Sequence, residues 1–193
     1  MENKIKIVFA TGNPHKLQEV NEIVQGSGIE FILPPDSFNP VENGETFEEN
    51  SIIKAQEASR VSCSISLADD SGLCVEALNG EPGIHSARYD STPQKRIDKL
   101  LKNLAHTDNR KAKFVCVMTL TDKDGNVLNQ EIGECRGQIA TEQYGTNGFG
   151  YDPVFVVDGY GITMAQMSEE LKNTVSHRAK ALSKMVEYIK NNL

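Results

Sequence analysis

Asp69 and Asp70 stand side by side in the run Leu67-Ala68-Asp69-Asp70-Ser71-Gly72-Leu73. Adjacent carboxylates repel, so a fold keeps them only in water or beside a cation or proton donor. The apolar approach reads as a strand ending at Asp69, with the acids in the turn that follows. In open α/β sheets, ligands gather at the carboxyl ends of strands. Mg²⁺ seeks hard oxygen ligands and is held by one or two carboxylates plus substrate phosphates. The same residues also compose an ordinary solvated Asp-Asp-Ser-Gly turn.

Four further segments carry groups that suit such chemistry. Thr11-Gly12-Asn13-Pro14-His15-Lys16 has the logic of a phosphate site: a close backbone approach at Gly12, free N–H groups at a helix start, and the charge of Lys16. It lacks the P-loop pattern, and an ordinary strand-to-helix connection fits it too. Glu42, on the glycine-bearing loop Glu42-Asn43-Gly44-Glu45, is free to reach a metal. In Gly148-Phe149-Gly150-Tyr151-Asp152-Pro153, the flanking glycines leave the Phe149 ring uncovered for stacking on a flat base, or mark a tight turn with Phe149 in the core. Lys172 and Ser176-His177-Arg178 lie around the start of the last helix, where a lysine or the rigid fork of an arginine could bind phosphate or read a carbonyl oxygen.

The elements that position these groups follow from periodicity. Lys4–Ala10 alternates as a strand, and Leu17, Val20 and Val24 form a helical stripe that Gly26 stops. Glu30–Leu33 is a second strand. Thr46-Phe47-Glu48-Glu49 has the spacing of a capping box and opens a helix running to about Arg60. A short strand leads to Asp69, and another covers Leu73–Ala77. Thr92-Pro93 opens a helix with Ile97, Leu100, Leu101 and Leu104 on its apolar side. Phe114–Leu120 reads as a buried central strand, joined by a hairpin at Asp124-Gly125 to Val127–Cys135. A short strand at Val154–Val157 and a terminal helix with Val175, Ala179, Leu182, Val186 and Ile189 complete the pattern. This is an α/β fold with a mixed sheet flanked by helices.

At 193 residues and 38% hydrophobic, the chain suits one domain with its own core. A net charge of −7 argues against a sequence-independent grip on nucleic acid, and no apolar run approaches a membrane span. Met1-Glu2-Asn3-Lys4 leads directly into the first strand with no secretory signal. Cys63, Cys74, Cys116 and Cys135 are widely spaced, without a zinc or disulfide pattern, which points to the cytoplasm.

The segments resemble, in order, those of the inosine/xanthosine triphosphate pyrophosphatase family, often called Ham1-like. The resemblance is carried by Thr11-Gly12-Asn13…Lys16, Thr46-Phe47…Glu49-Asn50, Ala68-Asp69-Asp70-Ser71-Gly72-Leu73, Pro82-Gly83-Ile84…Ser86-Ala87-Arg88-Tyr89, Gly148-Phe149-Gly150-Tyr151-Asp152-Pro153 and Lys172-Asn173…Ser176-His177-Arg178. It spans residues 1–193 as a single domain. It implies an elongated mixed β-sheet with two lobes and a central cleft, and a homodimer. The implied reaction is Mg²⁺-dependent hydrolysis of a purine nucleoside triphosphate such as ITP, dITP or XTP to the monophosphate and pyrophosphate. By motif match, Asp70 binds metal and activates water, Asp69 stands beside it in the catalytic pair, and Glu42 is a further metal ligand. Thr11, Asn13, Lys16, Ser71 and Lys172 face the phosphates and sugar, while Phe149, Asp152, His177 and Arg178 surround the base. Gly12, Gly150, Tyr151 and Ser176 complete the substrate-binding positions. The family often has Tyr at His85 and Glu at Gln166 and Leu171, none of which is assigned to chemistry. A nucleotide-binding regulator and a hydrolase of modified pyrimidine triphosphates are the competing readings.

Overall fold

Odd and even residues of the first strand go to different neighbours, and this alternation organises half of the protein. In the computed structural model, described over residues 4–193, β1 (Ile5–Phe9) pairs in parallel with β2 (Ile29–Ile32) and β3 (Ser66–Val75). Met1, Glu2 and Asn3, on which the reading of the leader rests, lie outside the described residues. With β4 (Lys111–Thr121), β5 (Val127–Ile139) and β6 (Phe155–Val157) the strands form one mixed sheet in the order β2-β1-β3-β4-β5-β6. The β5–β6 pair is antiparallel. The helices are α1 (Pro14–Ile23), α2 (Phe47–Ser62), α3 (Pro93–Asn103), α4 (Glu169–Val175) and α5 (His177–Asn192). Among the described residues no helix is long and apolar enough to cross a membrane.

The chain divides into two compact units. The first comprises the chain up to Asp70 with Cys116–Gly133 and Arg178–Leu193; the second comprises Ser71–Val115 and Glu134–His177. In the first unit, Ile7, Phe9 and Leu67 pack on Val20 of α1, on Val24 at its C-terminal end and on Ala181, Leu182, Met185 and Ile189 of α5. Val8, Ala10 and Ala68, one residue out of phase, meet Ala55 and Ala58 of α2. Successive strand side chains point to opposite faces, so the two sets define two sides of the sheet. The alanines on the second side bring α2 close to the strands. Buried hydroxyl pairs tie it there: Ser51 Oγ lies 2.6 Å from Thr119 Oγ1, and Ser59 Oγ 2.7 Å from Thr121 Oγ1.

In the second unit, Ile97, Leu100 and Leu104 are buried with Leu73, Val75, Phe114, Phe155 and Met164. The Phe114 and Phe155 rings pack at a tilt, 4.6 Å between centroids. Thr92 caps α3 by accepting the Lys95 N–H, as its position before Pro93 predicts.

Three sequence expectations change. The two short strands and intervening turn around Asp69-Asp70 are a single ten-residue strand, β3, because Gly72 is buried in the sheet and ion pairs compensate both acids. Strand preference depends on surroundings that a local reading cannot see. The single terminal helix is two, since Ser176 is extended (φ −66°, ψ 157°) and separates α4 from α5. The capping box is half present. Thr46 Oγ1 accepts the Glu49 N–H, but the Glu49 carboxylate turns to the Glu45 N–H.

Candidate active site

Continuity of β3 sends Asp69 and Asp70 to opposite faces of the sheet, the Leu67 side and the Ala68 side respectively. Asp69, 1% exposed, receives Lys16 Nζ at 3.0 and 3.1 Å on its two oxygens. Its Oδ2 also accepts Arg178 Nε at 3.2 Å and Nη2 at 2.9 Å. Nη1 of Arg178 donates to Glu19 Oε2 at 2.5 Å. Lys16 and Glu19 are three residues apart on α1, hence on one helical face. The helix is aimed by its start: Asn13 Oδ1 accepts the His15 N–H, Thr11 Oγ1 accepts the Asn13 N–H, and Pro14 opens the first turn. Burial works against the Arg178 guanidinium, but Asp69 and Glu19 more than offset it and hold it protonated.

Asp70 meets a different partner. Lys54 Nζ, from the buried face of α2, donates to Asp70 Oδ1 at 2.6 Å and lies 3.2 Å from Glu42 Oε2. The loop bearing Glu42 is pinned by Asn50, whose Oδ1 accepts the Gly44 N–H at 2.9 Å and whose Nδ2 donates to the Gly44 carbonyl at 3.4 Å. A Cβ at Gly44 would stand 2.8 Å from both Asn50 Oδ1 and Glu49 Cβ, so the residue must be glycine. Ser51, one turn before Lys54, is held by Thr119, and Gln130 Nε2 donates to Thr119 Oγ1 at 2.8 Å. Burial pushes the Asp70 carboxyl above its usual range, and Lys54 only partly offsets this. For Lys54, burial lowers and the carboxylates of Asp70, Asp69 and Glu42 raise, with the rise prevailing. A carboxylate raised by burial beside a specific charge partner is a mark of functional sites.

In the second unit, Asp152 and Lys172 are buried and joined at 2.9 Å. Asp152 Oδ2 also accepts the Phe149 N–H at 2.9 Å. Lys172 Nζ stands 4.6 Å from the centroid of the half-buried Phe149 ring, so one face of this ring carries an ammonium rather than lying uncovered. Gly148 (φ +74°) makes the arrangement possible, because a Cβ there would lie 2.1 Å from Asp152 Oδ2. Tyr151 donates its hydroxyl to the Ser86 carbonyl at 3.0 Å, and burial pushes its phenol up. His177 stacks on Phe114 at 4.8 Å, with planes 12° apart.

Of the positions singled out from sequence, Lys16, Asp69 and Arg178 come together in one ion-pair cluster, and Asp70 and Glu42 meet on Lys54. Phe149, Asp152 and Lys172 form the third group. Thr11 and Asn13 shape the β1–α1 turn with the exposed Gly12. Ser71 follows Asp70 in β3, Gly150 (φ +63°) follows Phe149, and Ser176 is the buried break between α4 and α5. Lys54 and Glu19 were not legible as site residues. Lys54 had one signal: it lies on the helical face of Asn50, Ser51, Ala55 and Ala58, where a lone lysine needs a buried anion.

Among the described residues no group of three or more His, Cys, Asp or Glu converges to hold a metal. Asp70 and Glu42 nonetheless turn their oxygens onto one cationic position, that of Lys54 Nζ. Two hard carboxylates facing a single cation are a donor set that fits Mg²⁺ with substrate phosphates completing its shell.

The Ham1 family matches residues 7–188. A dITP/XTP pyrophosphatase from Nostoc sp. is 43% identical over 180 residues, covering 93% of this chain and 92% of its own length. A dITP/XTP pyrophosphatase from Aquifex aeolicus is 42% identical over 199 residues, covering 97% and 98%. The solved structure of the Staphylococcus aureus Ham1 protein superposes with a TM-score of 0.87 at 39% identity, over 97% of this chain and all of that one (100%).

Proposed function

The chain belongs to the Ham1 family, and on that premise we propose that it hydrolyses deaminated purine nucleoside triphosphates, ITP, dITP and XTP, to the monophosphate and pyrophosphate. The observation that carries the reading is the unequal treatment of two adjacent acids. Asp69 is locked by Lys16 and Arg178, while Asp70 is raised by burial and shares Lys54 with Glu42. A pair of solvated turn carboxylates would need none of these partners.

In this reading residues 1–193 work as one pyrophosphatase domain, as a homodimer in the cytoplasm. Asp70 and Glu42 would hold Mg²⁺, which when bound offsets charge on the departing pyrophosphate. Asp70 orients the water that attacks the α-phosphorus and takes its proton. A carboxylate oxygen of Asp70 is the accepting atom. Asp69 serves beside it by keeping Lys16 and Arg178 in place. Lys16 neutralises phosphate charge, with Thr11, Gly12, Asn13, Ser71 and Lys172 toward phosphates and sugar. Phe149 stacks on the base, and Gly150, Tyr151, Asp152, Ser176 and His177 shape its surroundings. Arg178 donates to the 6-oxo group, which sets donor against donor for adenine. Buried mismatches of that kind discriminate by ~10⁴-fold or more.

The test is pyrophosphate release from ITP, dITP, XTP, GTP, ATP and dUTP with and without Mg²⁺. The expected result is Mg²⁺-dependent release confined to the deaminated purines. Release of single phosphate would overturn attack at the α-phosphorus, turnover of dUTP alone would favour the pyrimidine reading, and binding without turnover would favour a regulator.

A further inference from the structure

Lys54 touches both candidate metal carboxylates, yet neither the motifs nor the proposed reaction supplies it a role. Its ammonium lies between two carboxylates, 2.6 Å from Asp70 and 3.2 Å from Glu42. A buried lysine needs only one anion for balance, so the second carboxylate is surplus to that purpose. Glu42 is nevertheless brought in deliberately, on a loop fastened through Asn50 to a glycine with no room for a side chain. Charge sharpens the point. Asp69 has its own cations in Lys16 and Arg178, so Asp70, Glu42 and Lys54 together keep one net negative charge. A divalent ion between the same oxygens would balance the two carboxylates by itself, without the lysine.

We propose that Lys54 is an internal counter-ion that holds Asp70 and Glu42 at cation spacing when no divalent ion is bound, and competes with that ion for their oxygens. The inference rests on the metal-dependent reading above and adds to it a residue that sets the affinity. Lysine suits the task because its charge is a point at the end of a flexible four-carbon stem, able to yield its place by rotation. The stem is anchored on a rigid helix by the Ser51–Thr119 hydroxyl pair one turn away.

The experiment is Mn²⁺ binding without nucleotide, read from the loss of the free-ion resonance signal, on wild type, Lys54→Met and Lys54→Met/Asp70→Asn. Methionine keeps the apolar stem and removes the charge; Lys54→Gln serves if that variant fails to fold. Losing a like charge at ion-pair distance should tighten Mn²⁺ binding at least ~10-fold, and Mg²⁺ should raise the variant's melting temperature more than the wild type's. The double variant should lose the gain. Unchanged or weaker binding in both single variants overturns the proposal, as does tight binding that survives Asp70→Asn. If wild type releases pyrophosphate from dITP with Mg²⁺ while the single variants gain no affinity, the counter-ion role falls and the reaction stands. Absence of that release strikes the reaction itself.

Discussion

Replacing either acid of the Asp69-Asp70 pair by its amide changes a few atoms at neighbouring positions, yet the two substitutions should have opposite consequences. Asp69→Asn leaves the fully buried Arg178 guanidinium and the Lys16 ammonium facing a neutral amide. Removing one partner of a buried ion pair costs about 3–5 kcal/mol, a large part of a typical total of about 5–15 kcal/mol. For a chain of this size that lowers the melting temperature by roughly 6–20 °C. Asp70→Asn removes a carboxylate whose charged form burial already disfavours, and Lys54 keeps Glu42 as a partner. Its stability should stay within about 1 kcal/mol of wild type at pH 7. The rate should fall ~10²–10⁴-fold with loss of the proton acceptor. Urea unfolding of both variants, beside pyrophosphate release from dITP under saturating Mg²⁺, measures the contrast. Equal destabilisation by the two substitutions would refute the division of roles, and so would an Asp70→Asn enzyme with near-normal turnover.

Gly148→Ala forces a left-handed backbone on alanine, costing about 1–2 kcal/mol, and turns the Asp152 carboxylate away from Lys172. Substrate KM should rise more than kcat falls, and an unchanged KM would count against the Phe149 group as a binding site. Asn50→Ala strips the Gly44 N–H of its acceptor, for a loss of about 1–3 kcal/mol. Because it loosens the Glu42 loop, the Mg²⁺ concentration for half-maximal activity should climb several-fold. Tyr151 carries a pH signature. Burial raises its folded phenol above the usual 10.0, so its contribution is whole below that pH and lost as pH rises toward the folded value. Between pH 10 and 11, wild type should lose up to about 1.4 kcal/mol more stability than Tyr151→Phe, as seen in parallel denaturation curves.

Much of the frame is legible in the chain because its signals are local. Thr46 and Thr92 before their helices, Pro14 and Pro93 in the first turns, and the Ile97–Leu104 stripe need only neighbours within a turn to be read, and each is where periodicity puts it. The ordered motifs also pick out the chemically important stretches, since Asp69, Asp70, Lys16, Arg178 and Glu42 all stand in dense ion-pair surroundings. What the acids do is another matter. Asp-Asp-Ser-Gly has the composition of a turn, and only the cations that meet it let the segment run on as a strand and part the two side chains. Those cations come from far along the chain: Lys16 is 53 residues from Asp69, Arg178 is 109, and Glu19 lies 159 from the arginine it helps to hold. Lys54 is only 16 residues from Asp70, yet its role depends on which face of α2 meets the sheet. Sequence by itself determined which groups are available and which helices carry them. Tertiary structure alone decided the pairing of charges, because an ion pair is set by distance in space and by the loss of water around it.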